Sequence, residues 1–410
     1  MEKSTLWTGD YTRITLASIL SIIAGEAINL PISLLVFDET RSTLLSALVM
    51  ACGFLPDALL GVLVAPVIDR GRKKRWILAM DGALLAVYLV MAALTRHGAF
   101  RFGLYVAFAL VTGTISVFYR LSYNAWFPDL IPAGWEQQGF AIGGTLYPLV
   151  AIVMSPVAAF LYTRVSVSDM FVGVAALLAL SIGIEAGIRA DSAGGSGEAY
   201  GLEQWRADFA EGFRFIRREK GIRNIYAYMS FASASGEGTS ILVRAWFQAS
   251  PALSVTMLGV LNSAEMVARL LSGLAQYRLT VPAKRRYGVT RFVYVFYQLM
   301  DMALLYLPYG AMIANRFACG ALGTLSATLR ATSVNAYLPS EIRARVNAFF
   351  DMMGACVMLL FQLLAGWLGQ VLGYRVGAVL ISGFTLLMAV VFIFIPAKEN
   401  RPVYEAVRVE

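Results

Sequence analysis

Histidine occurs once in this chain of 410 residues, at His97, and cysteine three times, at Cys52, Cys319 and Cys356. All three cysteines lie inside apolar runs, so the sequence offers neither metal-ligand spacing nor a disulfide framework. Charge is also scarce: Asp, Glu, Lys and Arg make up 15% of the residues, against about 25% in soluble globular proteins. No Gly-x-Gly-x-x-Gly turn, Walker loop, nucleophile elbow or His-Glu-x-x-His helix is present. ATP-driven pumping within this chain and most hydrolase chemistry therefore have no support, and no enzyme activity, cofactor or metal is expected.

What the chain has in abundance is apolar surface, with 58% hydrophobic residues and a mean hydropathy of +0.66. One soluble core cannot bury that much, so a membrane protein is expected. A spanning helix needs about 20 apolar residues, so a dozen would use roughly 240 and leave about 170 for loops and tails. Twelve apolar runs are found: 14–37, 43–68, 76–95, 102–127, 139–163 and 169–188, then 223–247, 254–277, 289–308, 310–335, 345–370 and 374–396. The first lacks a basic leader and a small-residue cleavage site, and is expected to be a membrane span, not a signal peptide.

The net charge of +8 reads better as basic loops facing a cytoplasm than as a nucleic-acid surface. With both termini cytoplasmic, inner segments hold 24 of the 34 Lys and Arg residues. An inner-membrane, multi-pass chain with both ends inside follows from the positive-inside rule. The longest polar interval splits the spans six and six. It begins with Asp191-Ser-Ala-Gly-Gly-Ser-Gly and continues with Leu202, Trp205, Phe209, Phe213 and Ile216 at helical spacing. This predicts a flexible joint and an amphipathic linker helix on the inner membrane surface, with partner docking as the other reading. The expected divisions are thus 1–188, a linker over 189–222, 223–397, and a cytoplasmic tail over 398–410.

The halves repeat. A shift of 211 residues carries Asn124-Ala-Trp-Phe-Pro128 onto Asn335-Ala-Tyr-Leu-Pro339, Lys73-Lys74-Arg75 onto Lys284-Arg285-Arg286, and Gly25-Glu26 onto Gly236-Glu237. Each match falls at an equivalent place among the spans. Parallel repeats in a twelve-span chain predict two six-helix bundles with a site between them near the midplane.

Further motifs carry a resemblance. Gly-Phe-Leu-Pro56 is followed by Gly61 through Asp69-Arg70-Gly-Arg72-Lys73-Lys74, then by Asp81 in the third span and Asn124 with Pro128 after the fourth. Ser155-Pro156 lies in the fifth span, Glu211-Gly-Phe-Arg-Phe-Ile216 in the central loop, and Pro339-Ser-Glu-Ile-Arg-Ala-Arg345 after the tenth. On these residues the chain resembles the major facilitator superfamily over nearly its whole length, most of all the bacterial macrolide-efflux and enterobactin-exporter kind. Two positions depart from the pattern: Ala65 replaces a signature glycine, and Thr112 stands where many proton antiporters keep an arginine, the fourth-span arginine here being Arg120.

The resemblance implies an all-α membrane fold that moves a small amphiphilic molecule, macrolide-like or siderophore-like, outward by alternating access, with protons as coupling ion, as a monomer in the bilayer. An importer, a lysophospholipid flippase or a transport-inactive scaffold on the same fold are the alternatives. Mid-span carboxylates cost several kcal/mol unless paired, wetted or protonated, which makes Glu26, Glu237 and Asp57 candidate proton-coupling groups. The resemblance places spans 1 and 7 on the central cavity, with Glu26 facing Glu237. Structural glue through a nearby hydroxyl or cation is the other reading. Asn29, Tyr123, Asn124, Glu265 and Arg269 are candidate cavity residues, although Glu265 and Arg269 stand four apart and also suit an intrahelical ion pair. Asp69, Arg70, Arg72, Lys73, Lys74 and Asp81 form a candidate cytoplasmic gate, whose cations are expected to meet Asp81 and helix C-termini, or simply a topology signal. Ser155 and Pro156, with Ala151 and Ala159, resemble an antiporter motif of small residues in the fifth span, and tight packing explains them equally.

Overall fold

The computed structural model describes residues 5–70, 72–96, 98, 100–132, 134–190, 210, 211, 213–278 and 281–406. The described residues hold long helices and no strand. The first six are α1 (Gly9–Thr40), α2 (Thr43–Arg70), α3 (Lys73–Arg96), α4 (Phe102–Trp126), α5 (Glu136–Arg164) and α6 (Val167–Ala186). The second six are α7 (Lys220–Ala249), α8 (Val255–Arg278), α9 (Ala283–Leu304), α10 (Tyr309–Tyr337), α11 (Ser340–Val371) and α12 (Tyr374–Ala389). A short helix, α13 (Ala397–Glu405), follows.

Each long helix grows from one apolar run, and a segment that lies in lipid has to satisfy its own backbone groups. Local chemistry sets the ends. Ser166 caps α6 by accepting the Asp169 amide at 3.1 Å. Gly373, at φ +82°, makes the left-handed turn from α11 into α12. Pro128 opens a 3₁₀ turn, Phe127–Leu130, that closes α4. Beyond α12 the chain widens into a π turn over Val390–Phe394.

By length and hydropathy alone, eight of these helices are apolar enough to cross a membrane: α1 to α6, α11, and α12 with its π turn. The other four, α7 to α10, carry more polar and charged side chains, among them Arg223 and Glu237, Glu265 and Arg269, Arg291 and Asp301, and Arg316 and Arg330. Their charges require partners if these helices lie in lipid.

The chain forms two compact units. Unit 1 comprises Met1–Glu39, Cys52–Tyr200 and Ser254–Ser263, and unit 2 comprises Thr40–Ala51, Gly201–Leu253 and Ala264–Glu410. Within unit 1, α3 packs against α4 and α6; within unit 2, α9 packs against α10 and α12. These are the same pairings in the same order, so the repeat read from sequence extends to helix packing. At one end of unit 1 a core forms from Tyr11, Ile14, Ile77, Trp126, Phe127 and Ile188. Unit 2 has a counterpart built on Tyr228, Tyr287, Tyr294, Val346 and Tyr404.

Two sequence expectations need adjustment. The ninth helix ends at Leu304 instead of near residue 308, since Pro308 starts α10 and residues 305–307 turn. The expected tail, 398–410, is helical through Glu405, and Val403 and Tyr404 are buried in the core of unit 2. The Tyr404 hydroxyl meets that of Tyr294 at 2.9 Å. Burial, followed by the nearby Tyr294, raises the Tyr404 phenol pKa well above its ordinary value. Of the expected linker stripe, Leu202, Trp205 and Phe209 lie outside the described residues. Residues 213–218 are helical, with Ile216 buried and Phe213 exposed.

Candidate functional site

Glu26 and Asn29 lie near the middle of α1, Glu26 half-buried and Asn29 exposed. Glu237 takes the equivalent place in α7, half-buried and without an ion pair among the described residues. The two belong to different units, and each is described in its own.

Asp57 follows Pro56 in α2, and its carboxylate pairs with the Arg120 guanidinium of α4, both in unit 1. The unusual fourth-span arginine thus has a carboxylate partner one helix away, and the pair neutralises two charges that lipid would penalise separately. On α4, the Tyr123 hydroxyl accepts from Ser18 of α1 at 3.0 Å, and its ring stacks on Tyr119 and Phe127. Asn124 is exposed.

The basic turn ahead of α3 holds helix ends. Lys74 donates to the Ala186 and Ile188 carbonyls at 2.9 and 2.5 Å, at the C-terminal end of α6. Lys73 donates to the Ala125 carbonyl at 3.0 Å and lies 3.5 Å from Asp129, at the end of α4. Cations placed on exposed C-terminal carbonyls oppose the helix dipole and satisfy acceptors the helix leaves open. Arg72 is exposed; the side chains of Asp69 and Arg70, at the end of α2, lie outside the described residues. Asp81 does not pair with Lys73 or Lys74, whose contacts are those above; it is buried, and its neighbour is the carboxyl group of Glu185 in α6. α3 points Asp81 inward, toward α6 and away from the turn where Lys73 and Lys74 sit.

Ser155 and Pro156 meet the first turns of α8. A Cβ added at Gly259 would stand 2.5 Å from the Pro156 Cα and 2.8 Å from the Ser155 carbonyl oxygen. Ser263 donates to the Ile152 carbonyl at 2.6 Å. Glycine at 259 is therefore what this close helix contact requires.

In unit 2, Arg269 donates to Glu265 at 3.1 and 2.6 Å, the intrahelical pair that the spacing of four allows. Two residues that the spacing did not connect complete the cluster. Arg316 of α10 binds Asp301 of α9 and lies 3.8 Å from Glu265. Asn315 accepts from Arg316 at 3.2 and 3.3 Å and donates to the Met300 carbonyl at 2.9 Å. Two acids and two cations thus cancel across three helices, an arrangement suited to joining helices in an apolar medium. Among the described residues no group of three or more His, Cys, Asp or Glu side chains could hold a metal ion.

Arg316, Asp301 and Glu185 are not among the candidate residues that the sequence singles out. The signal for the two acids was a carboxylate inside or at the edge of an apolar run, the same rule that singled out Glu26 and Glu237.

No protein-family model matches the chain. Over 163 residues it is 22% identical to macrolide efflux protein A of Streptococcus pyogenes, and the match spans 40% of either chain. Its structure is similar to that of a point mutant of the nucleoside transporter NupG, with a TM-score of 0.73 at 13% identity, covering 94% of this chain and 99% of the other. An inward-facing bacterial homologue of the human lysosomal transporter Spinster superposes with a TM-score of 0.67 at 14% identity, over 98% of both chains. A POT family transporter crystallised with a thioalcohol-conjugated peptide gives 0.65 at 10% identity, over 95% and 96%. Similarity over nearly the full length of each of these proteins shows the fold: the chain is a multi-pass, all-α membrane protein with the fold of the major facilitator transporters.

Proposed function

We propose that the chain is a secondary transporter of the inner membrane that exports a small amphiphilic compound, macrolide-like or siderophore-like, by alternating access in exchange for protons. The observation that carries this reading is the sequence similarity to a macrolide efflux protein in a chain that has a transporter fold over its full length. In the proposed cycle, protons and substrate compete for Glu26 and Glu237. A half-buried carboxylate in a span is stable when protonated or when it faces a cationic group, and unstable when it has neither. Substrate arriving at such a carboxylate displaces its proton; protons returning from outside displace the substrate. Asp57 acts through Arg120: protonation of Asp57 frees the guanidinium and weakens the α2–α4 contact. Both termini and the basic turns at Lys73 and Lys284 face the cytoplasm, following the positive-inside rule.

The test is accumulation of a radiolabelled macrolide in cells that express the chain. The expected result is lower accumulation than in control cells, restored to the control level when the proton gradient is collapsed. Unchanged accumulation across a panel of macrolides and siderophores would count against export, and higher accumulation would make the chain an importer. Engineered cysteines at positions 73 and 284 test the orientation; labelling from outside the cell would reverse it.

A further inference from the structure

The proposed cycle leaves one pair of acids unused. Asp81 in α3 is 3% exposed and Glu185, in the last turn of α6, is 0% exposed. The two helices pack against each other and the two carboxyl groups are neighbours. Asp81 Oδ2 and both carboxyl oxygens of Glu185 have no hydrogen-bond partner of ordinary geometry among the described residues.

Among the described residues, the groups that face this pair are neutral. From α4 come the phenols of Tyr119 and Tyr123, from α3 the phenol of Tyr88, and from α1 and α6 the hydroxyls of Ser21 and Ser181, 3.2 Å apart. Among the described residues at this end of unit 1, Arg72, Arg75 and Arg189 are exposed, and four other cations are engaged elsewhere. Lys74 holds the Ala186 and Ile188 carbonyls, Lys73 the Ala125 carbonyl and Asp129, Arg13 pairs with Asp10 at 3.4 Å, and Arg120 pairs with Asp57. Two adjacent buried carboxylates without a cation repel each other and have lost their water; one shared proton removes both penalties, since a protonated carboxyl donates to its neighbour.

We propose that Asp81 and Glu185 form a proton-binding site of unit 1, in which one carboxyl group is protonated and donates to the other while α3 and α6 are packed together. The proton leaves when water reaches the pair. That requires the end of α6 to part from the start of α3, a contact Lys74 closes one residue beyond Glu185. Proton release and the Lys74 contact are therefore linked through the same two helices. The site is separate from Glu26, Asp57 and Glu237 and is independent of transport direction and substrate.

Infrared difference spectra of the full-length protein in detergent, recorded between neutral and strongly alkaline pH, test this directly. The wild type is expected to show a carboxylic-acid carbonyl stretch at neutral pH that disappears on alkalinisation. Glu185→Gln and Asp81→Asn shift or remove one component of the band, the double variant abolishes that component, and Glu26→Gln keeps it. Thermal unfolding gives a second readout. A site protonated in the folded chain and ionised in the unfolded one loses stability as pH rises, so the wild-type melting temperature falls toward alkaline pH more steeply than that of Glu185→Gln. Absence of the band in wild-type protein at neutral pH overturns the proposal, and that reading needs no variant to fold. So does a wild-type band that the double substitution leaves unchanged, or an Asp81–Glu185 component that responds to Na⁺ at fixed pH.

Discussion

The guanidinium of Arg316 in α10 binds the carboxylate of Asp301 in α9, with side-chain exposures of 11% and 1%. This is a buried helix-to-helix bond, and Glu265 and Arg269 complete it into a neutral group. Removing one member of a buried ion pair strands the other, at a cost of about 3–5 kcal/mol. Asp301→Asn is therefore expected to lower the melting temperature of the purified protein sharply, and Asp301→Leu combined with Arg316→Met to recover most of the loss. A single variant as stable as wild type would mean that the cluster is hydrated and does not join the helices.

Lys74 ties the start of α3 to the end of α6 through two carbonyls. A hydrogen bond from a charged donor contributes about 1.5–3 kcal/mol, and less where it is open to solvent. Lys74→Met is expected to lower the melting temperature and to speed hydrogen exchange in the last turn of α6, while Lys74→Arg keeps most of the protection. Lys73→Met should weaken the end of α4 and leave α6 as it was. Equal exchange in α6 for both methionine variants would remove the pairing argument.

The α13 helix closes the core of unit 2. Burial of Val403 and Tyr404 is worth about 1.5–3 kcal/mol each, and the Tyr294–Tyr404 hydroxyl contact adds about 1 kcal/mol. Truncation before Ala397 is expected to raise hydrogen exchange in α7 and α9, both of which contact α13, with α3 and α6 of unit 1 unchanged. Tyr404→Phe should produce a smaller effect in the same helices. An identical exchange pattern in truncated and full-length protein would show that the tail contributes nothing to unit 2.

The helices were legible because lipid imposes one strong rule: apolar runs of spanning length become helices, and each of the twelve runs did so within a few residues. The repeat was legible because short motifs recur at a constant offset, and Lys73 and Lys284 open equivalent helices. What stayed hidden was pairing between helices. Asp57 with Arg120, Asp301 with Arg316, and Asp81 with Glu185 stand 63, 15 and 104 positions apart, and nothing in composition or periodicity says which charges meet. The i,i+4 pair Glu265–Arg269 was readable because helix geometry alone brings it together. The α13 helix escaped because nine residues with Pro402 and a run of charges look like a tail, and only the burial of Val403 and Tyr404 makes them part of the core.

Proton-coupled export rests on the two mid-span glutamates, and everted membrane vesicles test it most directly. With the interior acidified, vesicles carrying the chain are expected to accumulate a labelled macrolide, and collapsing the pH gradient should release it. Glu26→Gln and Glu237→Gln, each shown to fold by its melting temperature, should reduce gradient-driven uptake at least tenfold. Full gradient-driven uptake by both variants would contradict the coupling assigned to Glu26 and Glu237.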